Sequence, residues 1–109
     1  MTTTSFAPLT SATFDEAING SDVPVVVDVW AEWCHPCATL EPVLASIAED
    51  HAGRIRVLSL DADEHPDVTR RFGVMAMPTL LVFDQGELVH RVVGAKGKGQ
   101  LLQELAGVL

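Results

Sequence analysis

The chain has 109 residues, of which 48% are hydrophobic and 20% are charged, a composition typical of a single globular domain rather than a disordered segment. All of its net charge of −8 lies in residues 1–53, which contain eight acidic side chains and no lysine or arginine, whereas residues 54–109 contain seven of each sign. No basic stripe is available to neutralise phosphates, so we expect neither nucleic acid nor an anionic membrane as a partner. The sequence shows no secretory signal and no apolar run long enough to span a membrane, so we expect a cytoplasmic protein and, in its simplest form, a monomer.

The first part of the chain predicts a strand, a helix and a second strand. Residues 23–30 (VPVVVDVW) are nearly all β-branched, which is typical of a strand buried on both faces. A helix from about Cys34 to about His51 follows, because apolar side chains recur at spacings of three and four, and Gly53 closes it. Residues 55–60 (IRVLSL) form the next strand. We expect the two strands to be parallel and joined by a right-handed crossover.

The second part of the chain predicts a short helix, a hairpin and a last helix. The short helix covers about residues 66–72, and a helical stripe of leucines and other apolar residues covers 101–109. Between them, residues 79–83 (TLLVF) and 87–93 (ELVHRVV) flank Asp84-Gln85-Gly86, which is typical of a hairpin turn. Strands and helices in this order favour an α/β layered sandwich.

The two cysteines of the chain, Cys34 and Cys37, lie where the first strand ends and the helix begins. Cys37 belongs to the apolar stripe of the helix and should be buried, whereas Cys34, one turn earlier, should face solvent. Side chains three positions apart on a helix are neighbours, so a small adjustment brings the two sulfurs within bonding reach. Unpaired N–H groups and the helix dipole favour a thiolate at this end, and Pro36 fits the first turn. We therefore predict that Cys34 attacks a disulfide and that Cys37 resolves the mixed disulfide that forms.

Other roles for the cysteine pair fit the sequence less well. A zinc site normally takes four ligands, and the histidines outside the motif show no ligand spacing. Haem attachment requires a histidine after the second cysteine, where the chain has Ala38. A structural disulfide is uncommon in a reducing compartment. A C-x-x-C motif beside a strand–helix–strand unit favours redox chemistry, so we expect no metal and no bound cofactor, only a redox-active disulfide between Cys34 and Cys37.

Asp28 lies in the middle of the valine-rich strand, where an ionised carboxylate is costly unless it is paired or neutralised. Burial should raise the pKa of Asp28 and make it a suitable proton acceptor for Cys37 while the mixed disulfide is resolved. The alternative is a structural aspartate held by hydrogen bonds near the end of the strand.

The segment VVVDVWAEWCHPCATLEPVL resembles the active-site segment of thioredoxins, whose usual motif is WCGPC. The segment MPTLLVFDQGELVHRVVGAKGKGQLLQEL is similar to the proline loop, hairpin and last helix of the same family. The resemblance covers nearly the whole chain and implies one thioredoxin-like domain over residues 1–109, a three-layer sandwich with a central mixed β-sheet flanked by helices. It implies a protein-disulfide reductase that acts on protein disulfides and is recharged by a flavoprotein reductase.

The resemblance also implies roles for residues around the cysteines. It implies that Pro78 is cis and packs against the cysteine pair, and that the backbone of Met77 pairs with an extended substrate chain. By the same resemblance, three residues border the substrate groove: Trp30, Trp33 and Gly94. The aspartate of the valine-rich strand matches the family's proton acceptor.

Three positions depart from the family pattern. His35 replaces the usual glycine of the motif, and Ala38 and Ser59 stand where many relatives carry lysine. The lysine at the second of these positions faces the buried aspartate in the family. We therefore expect Asp28 to be less compensated here and the surroundings of the thiols to be more negative.

His35 is expected to tune the redox potential together with Pro36 and Pro78. When protonated, His35 stabilises the thiolate of Cys34, and a stabilised reduced form makes the disulfide a stronger oxidant. A tenfold change in that equilibrium is worth only about 30 mV, against about 150 mV between thioredoxins in general and a strong oxidant of the same chemistry. The helix dipole opposes the protonated imidazole. A disulfide oxidase or isomerase tuned by His35 is thus one alternative function, and a non-catalytic binding module with this fold is another.

Overall fold

The structure is a computed structural model that describes residues 6–109. Within this range the chain forms five strands and four helices. In chain order they are β1 (Ala7–Pro8), α1 (Phe14–Asn19), β2 (Val25–Trp30), α2 (His35–Asp50), β3 (Arg56–Asp61), α3 (Pro66–Arg71), β4 (Thr79–Asp84), β5 (Glu87–Val93) and α4 (Lys98–Glu104).

The strands form one mixed sheet in the order β1-β3-β2-β4-β5. β3 runs parallel to both β1 and β2, whereas β4 is antiparallel to both β2 and β5. The parallel pairing of β2 with β3 confirms the predicted strand–helix–strand unit. β2 therefore lies at the centre of the sheet, and its carboxyl end delivers the chain to the start of α2.

The sheet is covered by helices on both faces. The helices α1 and α3 cover one face, where Phe14 and Val68 share a core with alternate valines of β2. The helices α2 and α4 cover the other face, where Leu44 and Leu101 share a second core with Val26 of β2. β2 is consequently buried along both faces, as its β-branched sequence predicts. This arrangement confirms the expected layered α/β sandwich with a central mixed sheet.

The predicted hairpin is present between β4 and β5. Its loop is the two-residue step Gln85-Gly86, in which both residues have positive φ angles of 53° and 83°. Two successive positive φ angles are typical of the tight turns whose twist matches that of antiparallel strands. Asp84, predicted to lie in the turn, is the last residue of β4.

Two elements near the start of the described chain were not predicted. β1 has only two residues, and α1 has six, so neither carries a hydrophobic period that can be recognised. Tertiary contacts hold α1 in place, since the ring of Phe14 lies 5.3 Å from that of Phe72 and 5.7 Å from that of Phe83. The last helix is also shorter than predicted, because it ends at Glu104 rather than continuing to residue 109.

Among residues 6–109, no helix has the length and apolar character needed to cross a membrane.

Candidate active site

The cysteine pair is positioned by the start of α2. The helix begins at His35, so Cys34 is its N-cap residue, with an extended backbone at φ −89° and ψ 100°. The Sγ of Cys34 accepts a hydrogen bond from the backbone N–H of Cys37 at 3.2 Å, as N-cap side chains do. A disulfide joins Cys34 to Cys37, whose Cα atoms are 5.3 Å apart.

The predicted difference in exposure between the two cysteines is wrong for this disulfide form. Cys34 and Cys37 are each 5% exposed. As the N-cap, Cys34 turns its sulfur back over the first turn of the helix, where it packs in one cluster with Cys37 and Ala31. Trp30 and Met77 pack against the same cluster. The two cysteines therefore differ in their position at the helix N-terminus, since Cys34 is the N-cap and Cys37 lies within the first turn, but they do not differ in exposure.

Asp28 is buried at the centre of the sheet, with 1% of its surface exposed. It is paired in register with Ser59 of β3 and with Leu80 of β4. Within the described residues its Oδ1 atom has no hydrogen-bond partner. Burial, and next the negative charge of Glu41, raise the pKa of Asp28 to about 7. The predicted direction of this pKa shift is confirmed.

Ser59 faces the position of Asp28 but brings no charge to it. The side chain is fully buried, and its hydroxyl lies within hydrogen-bond distance of two carbonyl oxygens of the β1 segment, at 3.2 Å from Phe6 and 3.4 Å from Ala7. The hydroxyl donates to this backbone, so the carboxyl of Asp28 has no cation or hydroxyl donor from β3.

A small cavity of about 50 Å³ connects Asp28 with the two cysteines. Its wall includes Asp28, Trp30, Glu32, Cys34, Cys37, Ala38 and Glu41. A volume of this size is enough for at least one water molecule, which needs about 10–15 Å³ measured in the same way. The charged side chains of the lining are all carboxylic acids.

Glu41 was not predicted as a functional residue, although the sequence contains a signal for it. It lies four residues after Cys37, and side chains with that spacing share one face of a helix.

The structure places Met77 of the expected substrate groove at the cysteine cluster and Gly94 at the proline loop, whereas Trp33 contacts Asp63. Met77 is half-buried against the cysteine cluster, and the Met77–Pro78 peptide bond is cis, as the resemblance implies. The N–H of Gly94 donates to the carbonyl oxygen of Pro78 at 2.9 Å, which places the end of β5 beside the proline loop. Trp33 is 67% exposed, and its Nε1–H donates to Oδ2 of Asp63 at 2.8 Å.

The remaining residues of the motif, His35 and Pro36, lie exposed in the first turn of α2. Among residues 6–109, no group of three or more His, Cys, Asp and Glu side chains is arranged to hold a metal ion.

Comparison with known proteins identifies the family of the chain. Residues 5–107 match the sequence model described as thioredoxin. The chain belongs to the thioredoxin family. It is 48% identical to the thioredoxin of Alicyclobacillus acidocaldarius subsp. acidocaldarius, over 93% of this chain and 95% of that one. It is 43% identical to thioredoxin 1 of Nostoc sp., over 91% of this chain and 92% of that one.

A longer relative contains a thioredoxin as part of a larger protein. The bifunctional thioredoxin reductase/thioredoxin of Mycobacterium leprae is 43% identical over 93% of this chain and 22% of its own length. Membership of the thioredoxin family makes the present chain a thiol–disulfide oxidoreductase with a general role in disulfide reduction.

Proposed function

We propose that the chain reduces protein disulfides by a two-step exchange in which Cys34 attacks and Cys37 resolves. The thiolate of Cys34 attacks one sulfur of the substrate disulfide, forms a mixed disulfide and releases the other substrate sulfur as a thiolate. Cys37 then loses its proton and attacks the Sγ of Cys34. The Cys34–Cys37 disulfide forms, the second substrate sulfur leaves as a thiolate, and two electrons have passed to the substrate.

The position of Cys34 at the N-cap of α2 is the observation that carries this assignment. Its sulfur accepts a backbone N–H and lies at the positive end of the helix dipole, and both features favour a thiolate. Cys37 lies inside the helix, on the wall of the cavity that Asp28 also lines. Cys34 lines the same cavity, so the proposal gives the proton exchange with the buried carboxyl to Cys37 because Cys34 is already bonded to the substrate in the second step.

In this proposal Asp28 accepts the proton of Cys37 during the second step. A proton acceptor works best when its pKa lies near the working pH, and burial raises the pKa of Asp28 to about 7. The cavity has room for a water molecule that could carry the proton between the two groups.

A flavoprotein thioredoxin reductase is the proposed source of electrons for the oxidised chain. The M. leprae relative, whose name joins a thioredoxin reductase to a thioredoxin in one protein, supports a partner of this kind.

Reduction of insulin by dithiothreitol, followed as turbidity, tests the assignment of the two cysteines. The wild-type chain should shorten the delay before turbidity appears, whereas Cys34→Ser should behave like dithiothreitol alone. Cys37→Ser should retain the first step and accumulate a mixed disulfide with the substrate, detectable by mass spectrometry without reductant. Equal onset of turbidity in the wild type and in Cys34→Ser would contradict the proposal.

A further inference from the structure

Glu41 shares the wall of the active-site cavity with Asp28 and the cysteines. It is half-buried on α2, whereas Asp28 is 1% exposed. A half-buried carboxylate keeps part of its hydration and can hold a negative charge, while a fully buried one cannot do so without cost.

Apart from the two cysteines, the titratable side chains that line the cavity around Asp28 are carboxylic acids. Of the elements packed around it, α2 contributes Glu41, and the connection from β2 to α2 contributes the exposed Glu32. The paired residues of β3 and β4 are Ser59 and Leu80, which carry no charge. In the part of the chain that the structure describes, the cavity lining includes no lysine, arginine or histidine.

A negative charge at the edge of such a cavity opposes ionisation of a carboxyl deeper inside it. Like charges that share a site raise the pKa of one of the two groups, and the effect is stronger where little water screens them. The carboxyl of Asp28 is open to this effect because its Oδ1 has no hydrogen-bond donor among the described residues to stabilise the ionised form.

We propose that Glu41 is a positioning residue for the exchange reaction: its carboxylate adds to the effect of burial in keeping Asp28 protonated and so raises the pH above which Asp28 can take the proton of Cys37. The inference rests on the proposed role of Asp28 as proton acceptor. In the second step the proton moves from the thiol of Cys37 to the carboxylate of Asp28. The Cys37 thiolate then forms the disulfide with Cys34, and Asp28 later returns the proton to solvent through the cavity.

The test compares Glu41→Gln with Glu32→Gln. Both variants remove one negative charge from the lining of the same cavity with little change of shape, but Glu32 is exposed and its charge is better screened. The first measurement is the titration of the Asp28 carboxyl carbon by NMR. The second is the pH profile of the resolution step, read by stopped flow as the second release of thionitrobenzoate when the reduced protein reacts with dithionitrobenzoate.

We expect Glu41→Gln to lower both midpoints by about one pH unit and Glu32→Gln to lower them by much less. An unchanged NMR titration in Glu41→Gln, or equal shifts in the two variants, overturns the inference and leaves the role of Asp28 intact. A shifted titration with an unshifted rate profile overturns both, since Asp28 is then not the group whose ionisation controls the resolution step. Asp28→Asn serves as the reference in which the rate profile should lose this ionisation.

Discussion

Carboxyl groups beside the two ends of α2 lie in opposite electrostatic surroundings. At the C-terminal end, Asp50 is exposed and lies 2.8 Å from the Nζ of Lys98, which also donates to Ser46. The hydrogen bond and the charge of Lys98 hold the pKa of Asp50 below its ordinary value. At the N-terminal end, Asp28 is buried beside Glu41, and its pKa is raised. An aspartate is thus held as an anion at one end, whereas an aspartate at the other end keeps its proton to a much higher pH.

The difference between the two ends of α2 follows from where basic residues of the second half of the chain contact acids of the first half. The structure describes three ion pairs in residues 6–109, and the basic partner in each comes from the second half. Two of them, Arg71–Asp15 and Lys98–Asp50, compensate acids of the first half, which has no lysine or arginine of its own. Nothing comparable reaches the cavity beside the cysteines. The carboxyl groups that line this cavity therefore have no basic side chain beside them in its wall, and this is the site of the proposed proton transfer.

Replacing Asp28 by Asn should abolish the difference between the two ends of α2, and we expect it to have the largest effect on stability. The native state holds the Asp28 proton up to about pH 7, whereas the unfolded chain releases it near 3.8. Between these values the unfolded state binds fewer protons, so the free energy of unfolding falls as the pH rises. From about pH 4 to about pH 8, wild type should lose about 4 kcal/mol relative to Asp28→Asn.

Chemical denaturation of the oxidised proteins at the two pH values measures this difference. Asp22→Asn is the matched control, because it makes the same substitution at an exposed aspartate. The same pH dependence in wild type and in Asp28→Asn would show that the buried carboxyl is not the titrating group.

Removing the motif histidine should have an intermediate effect, on the redox potential. Protonated His35 next to Cys34 stabilises the thiolate and hence the reduced form, so His35→Gly should make the protein more reducing by up to about 30 mV. His35→Gln, which keeps a polar side chain without the charge, should move the potential in the same direction. Equilibration with glutathione measures both variants. A potential unchanged within error would remove His35 as a tuning residue and weaken the oxidase or isomerase alternative.

Breaking the ion pair at the far end of α2 should have the smallest effect. The side chains of Lys98 and Asp50 are 43% and 55% exposed, and such surface pairs contribute little because water and salt screen them. Lys98→Gln should lower the melting temperature only slightly and leave the rate of insulin reduction unchanged. If Lys98→Gln lost as much stability as we expect from the pH effect at Asp28, the ion pair at the exposed end of α2 would matter as much as the buried carboxyl at the other end, contrary to the comparison.

The central elements could be predicted from the sequence because their buried positions are occupied by apolar residues at regular spacings. β2 is buried on both faces and reads as a run of valines, and the four buried residues of α2 fall on the predicted stripe. The edge strand β1 and the short helix α1 could not be predicted, since they depend on contacts with distant parts of the chain such as Phe72 and Phe83.

The sequence predicted which chemical groups form the site but not how they are arranged. Spacing located the cysteines, and the cost of burying a charge predicted the raised pKa of Asp28. Exposure of Cys34 was predicted wrongly, because it depends on the N-cap conformation and on packing by Trp30 and Met77, which no local pattern encodes. Spacing places Glu41 on the same face of α2 as Cys37, but its place in the same cavity wall as Asp28 depends on how the helix packs on the sheet.

The two tryptophans have an optical consequence. The chain contains no tyrosine, and its only tryptophans are Trp30 and Trp33. Trp30 packs against the cysteine cluster, while Trp33 is exposed and bonded to Asp63. Fluorescence excited in the indole band therefore originates entirely from the surroundings of the disulfide. Changes in emission on reduction, on docking of another protein or on unfolding therefore all report on the immediate surroundings of the cysteine pair. The chain thus has an intrinsic fluorescent probe at the site where it reacts.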